Sequence, residues 1–190
     1  RNCILRGLTN AENNDLILIS DLDEIPNPKN LNKFHTNMRY AVFKQLHFYY
    51  KFNLQSQKNT HWYGSRICVK KYLKSPQWLR DLKFKKRPFW RIDKLRLNNI
   101  LENGGWHFCN LKNPDDLLYK YKNLCETNDP YNFNEKIDKK YLNINEIENR
   151  VKLGLDIIGR DEIYKVKKLN EEFPEYLLKN LTKYKDWLAN

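Results

Sequence analysis

A short apolar run that ends in a cluster of carboxylates constrains the fold of this chain more than any other feature. Residues 15–20 contain four consecutive apolar side chains, which is typical of a strand buried on both faces of a parallel or mixed sheet. The run stops at Asp21-Leu22-Asp23-Glu24, and Pro26 and Pro28 prevent the strand from continuing. The strand therefore delivers acidic side chains to its carboxyl end, where ligands bind in α/β sheets.

The rest of the sequence alternates between helix and strand patterns, which indicates an α/β fold. Helical spacing and helix start signals predict helices over residues 1–12, 28–37 and 115–125. Aromatic and β-branched segments predict strands over residues 40–53, 66–72 and 106–111, the last after a turn at Gly104-Gly105. From residue 134 the chain is highly charged, and we expect this part to be mostly helical.

Length and composition predict a folded protein with a core of its own. The chain has 190 residues, of which 41% are hydrophobic and 14% aromatic. We expect a core domain over residues 1–133 and a charged helical extension over residues 134–190 that packs on it. No apolar run is long enough to cross a bilayer, so we expect a soluble protein.

Charge and cysteine usage bear on partners and location. The formal net charge of +12 favours anionic partners, namely nucleic acid, an acidic membrane surface or phosphorylated substrates. Most lysines are scattered, however, which is more typical of solvated faces than of a binding stripe. The four cysteines form no C-x-x-C pair, so we expect reduced thiols and a cytoplasmic protein. Secretory disulfides are the alternative. The basic surface adds the expectation of a peripheral membrane contact.

The acidic pair Asp21 and Asp23 predicts a metal site. Two carboxylates this close repel each other unless a cation lies between them or solvent screens them. Hard oxygen ligands select Mg²⁺, Mn²⁺ or Ca²⁺, and Mg²⁺ or Mn²⁺ held by few carboxylates keeps positions open for substrate phosphates. The alternative is an acidic turn in which Asp21 caps the helix that follows.

Several uncommon motifs follow one another along residues 1–126. They are Arg1-Asn2, the run from Asp15 to Pro26, Phe48-Tyr49-Tyr50-Lys51-Phe52-Asn53, Trp62-Tyr63-Gly64-Ser65, Leu79-Arg80 and Gly104-Gly105-Trp106-His107-Phe108. Together they resemble the family 17 glycosyltransferases, which include the animal enzymes that add bisecting N-acetylglucosamine to N-glycans.

This resemblance implies a fold and an activity. The fold is a GT-A-like mixed sheet flanked by helices, and because the first nucleotide-binding strands would precede Arg1, we expect the sheet to lack them. The activity is an inverting, metal-dependent hexosyl transfer from a nucleotide-sugar donor to a glycan acceptor hydroxyl, with N-acetylglucosamine from a UDP-sugar as the family's suggestion. In that reading Asp21 and Asp23 hold Mn²⁺ or Mg²⁺ on the donor diphosphate, and Arg1 faces the nucleotide.

A general base is the next requirement of such a transfer, because the acceptor hydroxyl must lose its proton. Glu126, Glu24, Glu102 and His107 are the candidates. Glu126 comes first because it falls in a stretch that the resemblance marks, although Cys125 stands there where the family tends to have a histidine.

Two further side chains suit the donor and the sugar. Arg80 is a candidate for neutralising the diphosphate leaving group, because a guanidinium meets phosphate with two parallel hydrogen bonds. Trp106 is a candidate for stacking on a sugar face. For both Trp106 and His107, ordinary packing in the core is the alternative.

Two other functions remain open from the sequence alone. The chain is alternatively a basic nucleic-acid-binding protein or metal-dependent nuclease, although no recognisable nucleic-acid motif accompanies its charge, so we expect no specific nucleic-acid partner. A non-catalytic sugar-binding remnant is the third reading.

Overall fold

The structure is a computed structural model that describes residues 1–83, 99–124 and 139–190. It is a mixed α/β protein, as predicted. Its strands are β1 Leu16–Ile19, β2 Glu24–Pro26, β3 Tyr40–Tyr49, β4 Leu54–Ser56, β5 His61–Trp62, β6 Arg66–Val69, β7 Ile100–Cys109 and β8 Tyr164–Val166. The α-helices of the described ranges are α1 Pro76–Asp81, α2 Pro114–Asn123, α3 Ile144–Lys152 and α4 Glu175–Lys179. Short 3₁₀ helices span Asn2–Leu8, Pro28–Lys33, Thr36–Met38, Lys70–Tyr72, Lys139–Tyr141 and Lys185–Trp187.

The chain divides into two compact units. The first contains residues 1–46 and 61–107, and the second contains residues 47–60 and 108–190. The two long strands β3 and β7 each contribute residues to both units. The domain boundary predicted between residues 133 and 134 lies outside the described residues and stays a prediction.

Strand β1 is buried on one face, so the expectation of burial on both faces is wrong. It pairs antiparallel with β6, which pairs antiparallel with β3. Ile17 and Ile19 point into a core that includes Leu79 of α1, whereas Leu16 and Leu18 are exposed. The alternation follows from strand geometry, because successive side chains point to opposite faces and the described packing covers only one of them.

The sheet is mixed, as expected, because β7 runs parallel to β3. The amide of Val42 donates to the carbonyl of Asn99 at the start of the two strands (3.0 Å), and the amide of Tyr50 donates to the carbonyl of Cys109 at their end (3.0 Å). Strand β2 adds to β7 in antiparallel register, with Glu24 opposite His107. The GT-A topology itself stays a prediction.

The predicted turn at Gly104-Gly105 is wrong, because both glycines lie inside β7. Gly105 has φ +123°, and a Cβ there would lie 2.1 Å from the carbonyl oxygen of Ile25 in β2. A Cβ on Gly104 would lie 2.6 Å from the amide nitrogen of Lys44 in β3. The glycines therefore let β7 approach its two neighbours closely, a use of glycine in strands that resembles a turn signal in sequence.

Two predicted amino-terminal helices are shorter and tighter than expected. The helix predicted over residues 1–12 is the 3₁₀ helix Asn2–Leu8, and the one predicted over residues 28–37 splits into Pro28–Lys33 and Thr36–Met38. Asn27 caps the helix Pro28–Lys33 through its side-chain oxygen, which accepts from the amide of Lys29 (3.1 Å).

The second unit packs α2 and α3 against the ends of β3 and β4. Its core includes Tyr50, Leu117 and Ile147, and Asn113 and Asn143 cap the two helices. The described part of the tail from residue 139 is less helical than predicted, because β8 and irregular segments separate α3 from the short α4. No α-helix in the described ranges is long and apolar enough to cross a membrane.

A buried carboxylate organises this second unit. Asp156 is fully buried, and its Oδ2 accepts from the hydroxyls of Tyr50 (3.2 Å) and Tyr164 (3.0 Å) and from the guanidinium of Arg160 (2.9 Å). Its Oδ1 accepts from the amides of Ile158 and Arg160, both at 3.1 Å. The carboxylate thus joins β8, the end of β3 and the loop that follows α3.

Candidate functional site

The acidic segment lies between β1 and β2 in the first unit. Strand β1 ends at Ile19, a turn contains Leu22 and Asp23, and β2 begins at Glu24. Leu22 is fully exposed, whereas Glu24 is buried. The three carboxylates of this segment therefore face different surroundings, and each has its own partners.

Asp21 is held by two arginines. The Nη2 of Arg1 lies 3.0 and 2.9 Å from its two carboxylate oxygens, and the Nη2 of Arg80 lies 2.6 Å from Oδ2. The structure thus brings together the predicted residues Arg1, Asp21 and Arg80. It places guanidinium cations on the Asp21 carboxylate, and the role of Asp21 as a metal ligand stays a prediction.

Glu24 is the most enclosed carboxylate of the site. The guanidinium of Arg80 donates to both of its oxygens (2.9 and 3.0 Å), and the indole of Trp62 (2.8 Å) and the hydroxyl of Ser65 (3.1 Å) also donate to it. The amide of Asp21 adds a further hydrogen bond at 3.1 Å. Burial raises the pKa of Glu24, but the hydrogen bonds from Arg80 and Trp62 outweigh that effect and lower it below 4.5.

Gly64 makes this close packing around Glu24 feasible. A Cβ at this position would lie 2.0 Å from the Oε1 of Glu24 and 2.3 Å from the indole nitrogen of Trp62. The Gly64 carbonyl also accepts from the guanidinium groups of Arg66 and Arg80. Burial, followed by the positive charge of Arg80, lowers the pKa of Arg66 to about 10. The site therefore concentrates buried positive charge around one buried carboxylate.

Asp23 faces a histidine. Its Oδ2 lies 3.2 Å from the Nε2 of His107, and its side chain is 44% exposed, whereas that of His107 is 7% exposed. The register of β2 on β7 explains the pairing, because Glu24 lies directly opposite His107 and Asp23 immediately precedes Glu24. The His107 ring also stacks on the Trp62 ring, with centroids 4.8 Å apart and planes inclined by 28°.

Asp23 and His107 have the chemistry of metal ligands. A carboxylate oxygen and an imidazole nitrogen are both donors that Mn²⁺, Zn²⁺ and Fe²⁺ accept. Cys109 lies two residues beyond His107 in β7, so by strand alternation it projects from the same face as His107. Asp23, His107 and Cys109 are therefore candidate metal ligands. The sequence predicted this role for Asp23 but not for His107 or Cys109.

Two predicted candidates have different surroundings. Trp106 is 8% exposed, and its carbonyl accepts from the amide of Gln45, which is the environment of a core residue. Glu102 has an exposed side chain and pairs with Lys44 (2.9 Å). Glu126 lies outside the described residues, so its role as general base stays a prediction.

Sequence reasoning did not assign a role to Trp62, Gly64 or Ser65, which surround Glu24. A signal existed, because these residues belong to the Trp62-Tyr63-Gly64-Ser65 motif that contributes to the resemblance. What the motif alone could not show is which acidic residue it would contact.

No protein-family model matches the chain, and neither a curated protein nor a solved structure matches it.

Proposed function

We propose that the chain is a metal-dependent glycosyltransferase that moves a sugar from a nucleotide-diphosphate donor to a glycan hydroxyl. The observation that carries the proposal is the pairing of Asp23 with His107 at 3.2 Å, in the same acidic segment in which Arg80 contacts Asp21. The resemblance of the motifs to family 17 glycosyltransferases supplies the reaction class. Transfer of N-acetylglucosamine from a UDP donor with inversion is the specific form that we propose.

Asp23 and His107 would hold the metal in this proposal. The half-exposed Asp23 leaves room for substrate oxygens, whereas the buried His107 is held in orientation by Trp62. Of the two predicted cations, Mn²⁺ suits an imidazole ligand better than Mg²⁺, and a bound Mn²⁺ would neutralise the charge that builds on the diphosphate as the glycosidic bond breaks.

Arg80 and Glu24 act as a positioning pair. The Arg80 side chain is 8% exposed and that of Glu24 is 1% exposed, so the guanidinium is fixed before any substrate arrives. Because five donor hydrogen bonds already occupy the Glu24 oxygens, Glu24 is a poor general base. The predicted catalytic role of Glu24 is therefore replaced, in this proposal, by a positioning role.

Arg1 and Asp21 lie at the exposed side of the same cluster. The Arg1 side chain is 35% exposed, and that of Asp21 is 40% exposed. Exposed ion pairs exchange partners at little cost. Arg1 can therefore leave Asp21 for a donor phosphate, which fits the role that the resemblance implies for it.

Hydrolysis of UDP-N-acetylglucosamine provides the test, measured as UDP release in Mn²⁺ and in EDTA. We expect release only in Mn²⁺, and we expect His107→Gln to reduce it by about a hundredfold, as removal of a charge-stabilising group does. His35→Gln is the control, because His35 is exposed and far along the chain from the site. Equal rates in both buffers would contradict the proposal, and tight binding of duplex DNA at physiological salt would favour a nucleic-acid function instead.

A further inference from the structure

The second unit contains a cavity of about 580 Å³ that the proposed reaction does not use. This volume lies within the range of pockets that hold small molecules. All of its lining residues belong to the second unit, and neither Asp23 nor His107 is among them.

Apolar side chains form the larger part of the cavity lining. Leu54 and Leu117, which are almost completely buried, line it together with Val151 and the half-exposed Val166. Tyr50 adds its ring, because its hydroxyl is already engaged by Asp156 at 3.2 Å. These apolar side chains favour an alkyl or aryl group over a polar one, since apolar surface that leaves water lowers the free energy of binding.

One wall is formed by residues 188–190 and is fixed by hydrogen bonds. The side-chain amide of Asn53 donates to the carbonyl of Ala189 (2.8 Å), and the Ala189 amide donates back to the Asn53 oxygen (2.7 Å). The ammonium of Lys51 also donates to the carbonyl of Asp186 (2.7 Å). The cavity is therefore a built feature of the unit, held on this side by a reciprocal amide pair.

The charged side chains of the lining are mainly cationic. Among the side chains of the lining, the ammonium groups of Lys51, Lys112 and Lys152 outnumber the single carboxylate of Glu148. Lys112 and Lys152 are exposed, which places ammonium groups beside an apolar interior. A phosphate monoester carries a charge of about −1.5 to −2 at neutral pH, which is opposite in sign to these ammonium groups.

We propose that the cavity binds an alkyl phosphate, with the alkyl chain on Leu54, Leu117 and Val166 and the phosphate near Lys112 and Lys152. An apolar lining alone would accept any hydrophobic molecule, and lysines alone would accept any anion. The combination selects a molecule that has both parts joined. A free amphiphile and a membrane phospholipid share this chemistry.

Calorimetry with decyl phosphate, kept below its micellar concentration, tests the proposal. We expect decyl phosphate to bind with at least tenfold higher affinity than inorganic phosphate, which lacks the chain, and decyltrimethylammonium, which reverses the charge. A sedimentation assay with phosphatidic acid vesicles then separates the two sources: pelleting of the protein indicates a membrane lipid, and decyl phosphate binding without pelleting indicates a free amphiphile.

Variants locate the binding. We expect Lys112→Gln and Lys152→Gln each to weaken decyl phosphate binding roughly fivefold. Val166→Asp should weaken it further, because it places a carboxylate among the apolar side chains of the lining. Lys165→Gln is the matched control, since Lys165 is an exposed lysine next to Val166 in β8 that does not line the cavity. Equal binding of the three probes, or equal loss in the Lys165 control, would overturn the proposal.

Discussion

Replacing Asp156 by asparagine tests the carboxylate that organises the second unit. The substitution keeps the shape of the side chain but removes its charge. Asparagine can keep one oxygen toward the amides of Ile158 and Arg160. Its NH₂ group must then face the guanidinium of Arg160, which can only donate, and the hydroxyls of Tyr50 and Tyr164, which lose the carboxylate oxygen that accepts from them.

The magnitude follows from the burial of the two partners. Removing one member of a buried ion pair typically costs 3–5 kcal/mol, because the other charge is left without compensation. Asp156 is fully buried, but the Arg160 side chain is 30% exposed and can regain water. We therefore expect the lower end of the range, about 3 kcal/mol, which corresponds to a fall in melting temperature of about 6 to 12 °C for a chain of this size.

Thermal unfolding of the wild type and Asp156→Asn measures this effect, with Asp161→Asn as the control. Asp161 pairs with Lys58, but its side chain is 94% exposed, so the same chemical change there should alter stability by less than about 0.5 kcal/mol. If the two variants melted at the same temperature, the Asp156 network would not stabilise the unit.

The stability difference between wild type and Asp156→Asn should depend on pH. Burial raises the pKa of Asp156, but the hydrogen bonds and charge of Arg160 outweigh this and lower it below 3.8. A depressed folded pKa means that the carboxylate's contribution is fully present above about pH 4 and is lost as the pH falls through the folded value. The stability difference between wild type and Asp156→Asn should therefore be constant from pH 5 to 7 and shrink below about pH 4; a difference that grew on acidification would refute the assignment.

Two further substitutions test the first unit. Glu24→Gln should lower the free energy of unfolding by about 2–4 kcal/mol in chemical denaturation, because the nearly buried Arg80 loses a charged partner. The control Glu102→Gln, at an exposed side chain, should change it by less than about 0.5 kcal/mol. Equal effects of the two substitutions would contradict the positioning role of Glu24. Gly105→Ala should lower the free energy of unfolding by at least about 2 kcal/mol, since the φ of +123° and the carbonyl of Ile25 leave no room for a Cβ. A variant as stable as wild type would show that β2 does not pair with β7 as described.

The local features of the fold were largely predictable from sequence. The apolar run before Asp21 predicted β1 and its abrupt end, and helical spacing with a helix start signal predicted α2, because these signals reside in residues close together in the sequence. The one-sided burial of β1 was not predictable, since four apolar residues in a row look the same whether one or both faces are covered. Gly104-Gly105 misled for a similar reason, because a close approach between strands and a turn use the same residue.

The candidate site was predictable in residue type more than in pairing. Asp23, His107, Arg80 and Glu24 were all singled out, yet which of them would meet depended on the register of β2 on β7 and on contacts between residues 56 positions apart. Local patterns carry no record of such registers. Consequently Asp21 and Asp23 were expected to share one cation, whereas the structure directs Asp21 to arginines and Asp23 to His107.

Calorimetric titration with UDP is the most direct test of the proposed metal-dependent glycosyltransferase. Wild type, Asp23→Asn and the Asp161→Asn control would each be titrated in Mn²⁺ and again in EDTA. We expect the wild type and the control to bind UDP at least about tenfold more tightly in Mn²⁺, because the metal joins a protein carboxylate to the diphosphate, and we expect Asp23→Asn to lose that gain while keeping its melting temperature. Equal UDP affinity of the wild type in Mn²⁺ and in EDTA would contradict the account.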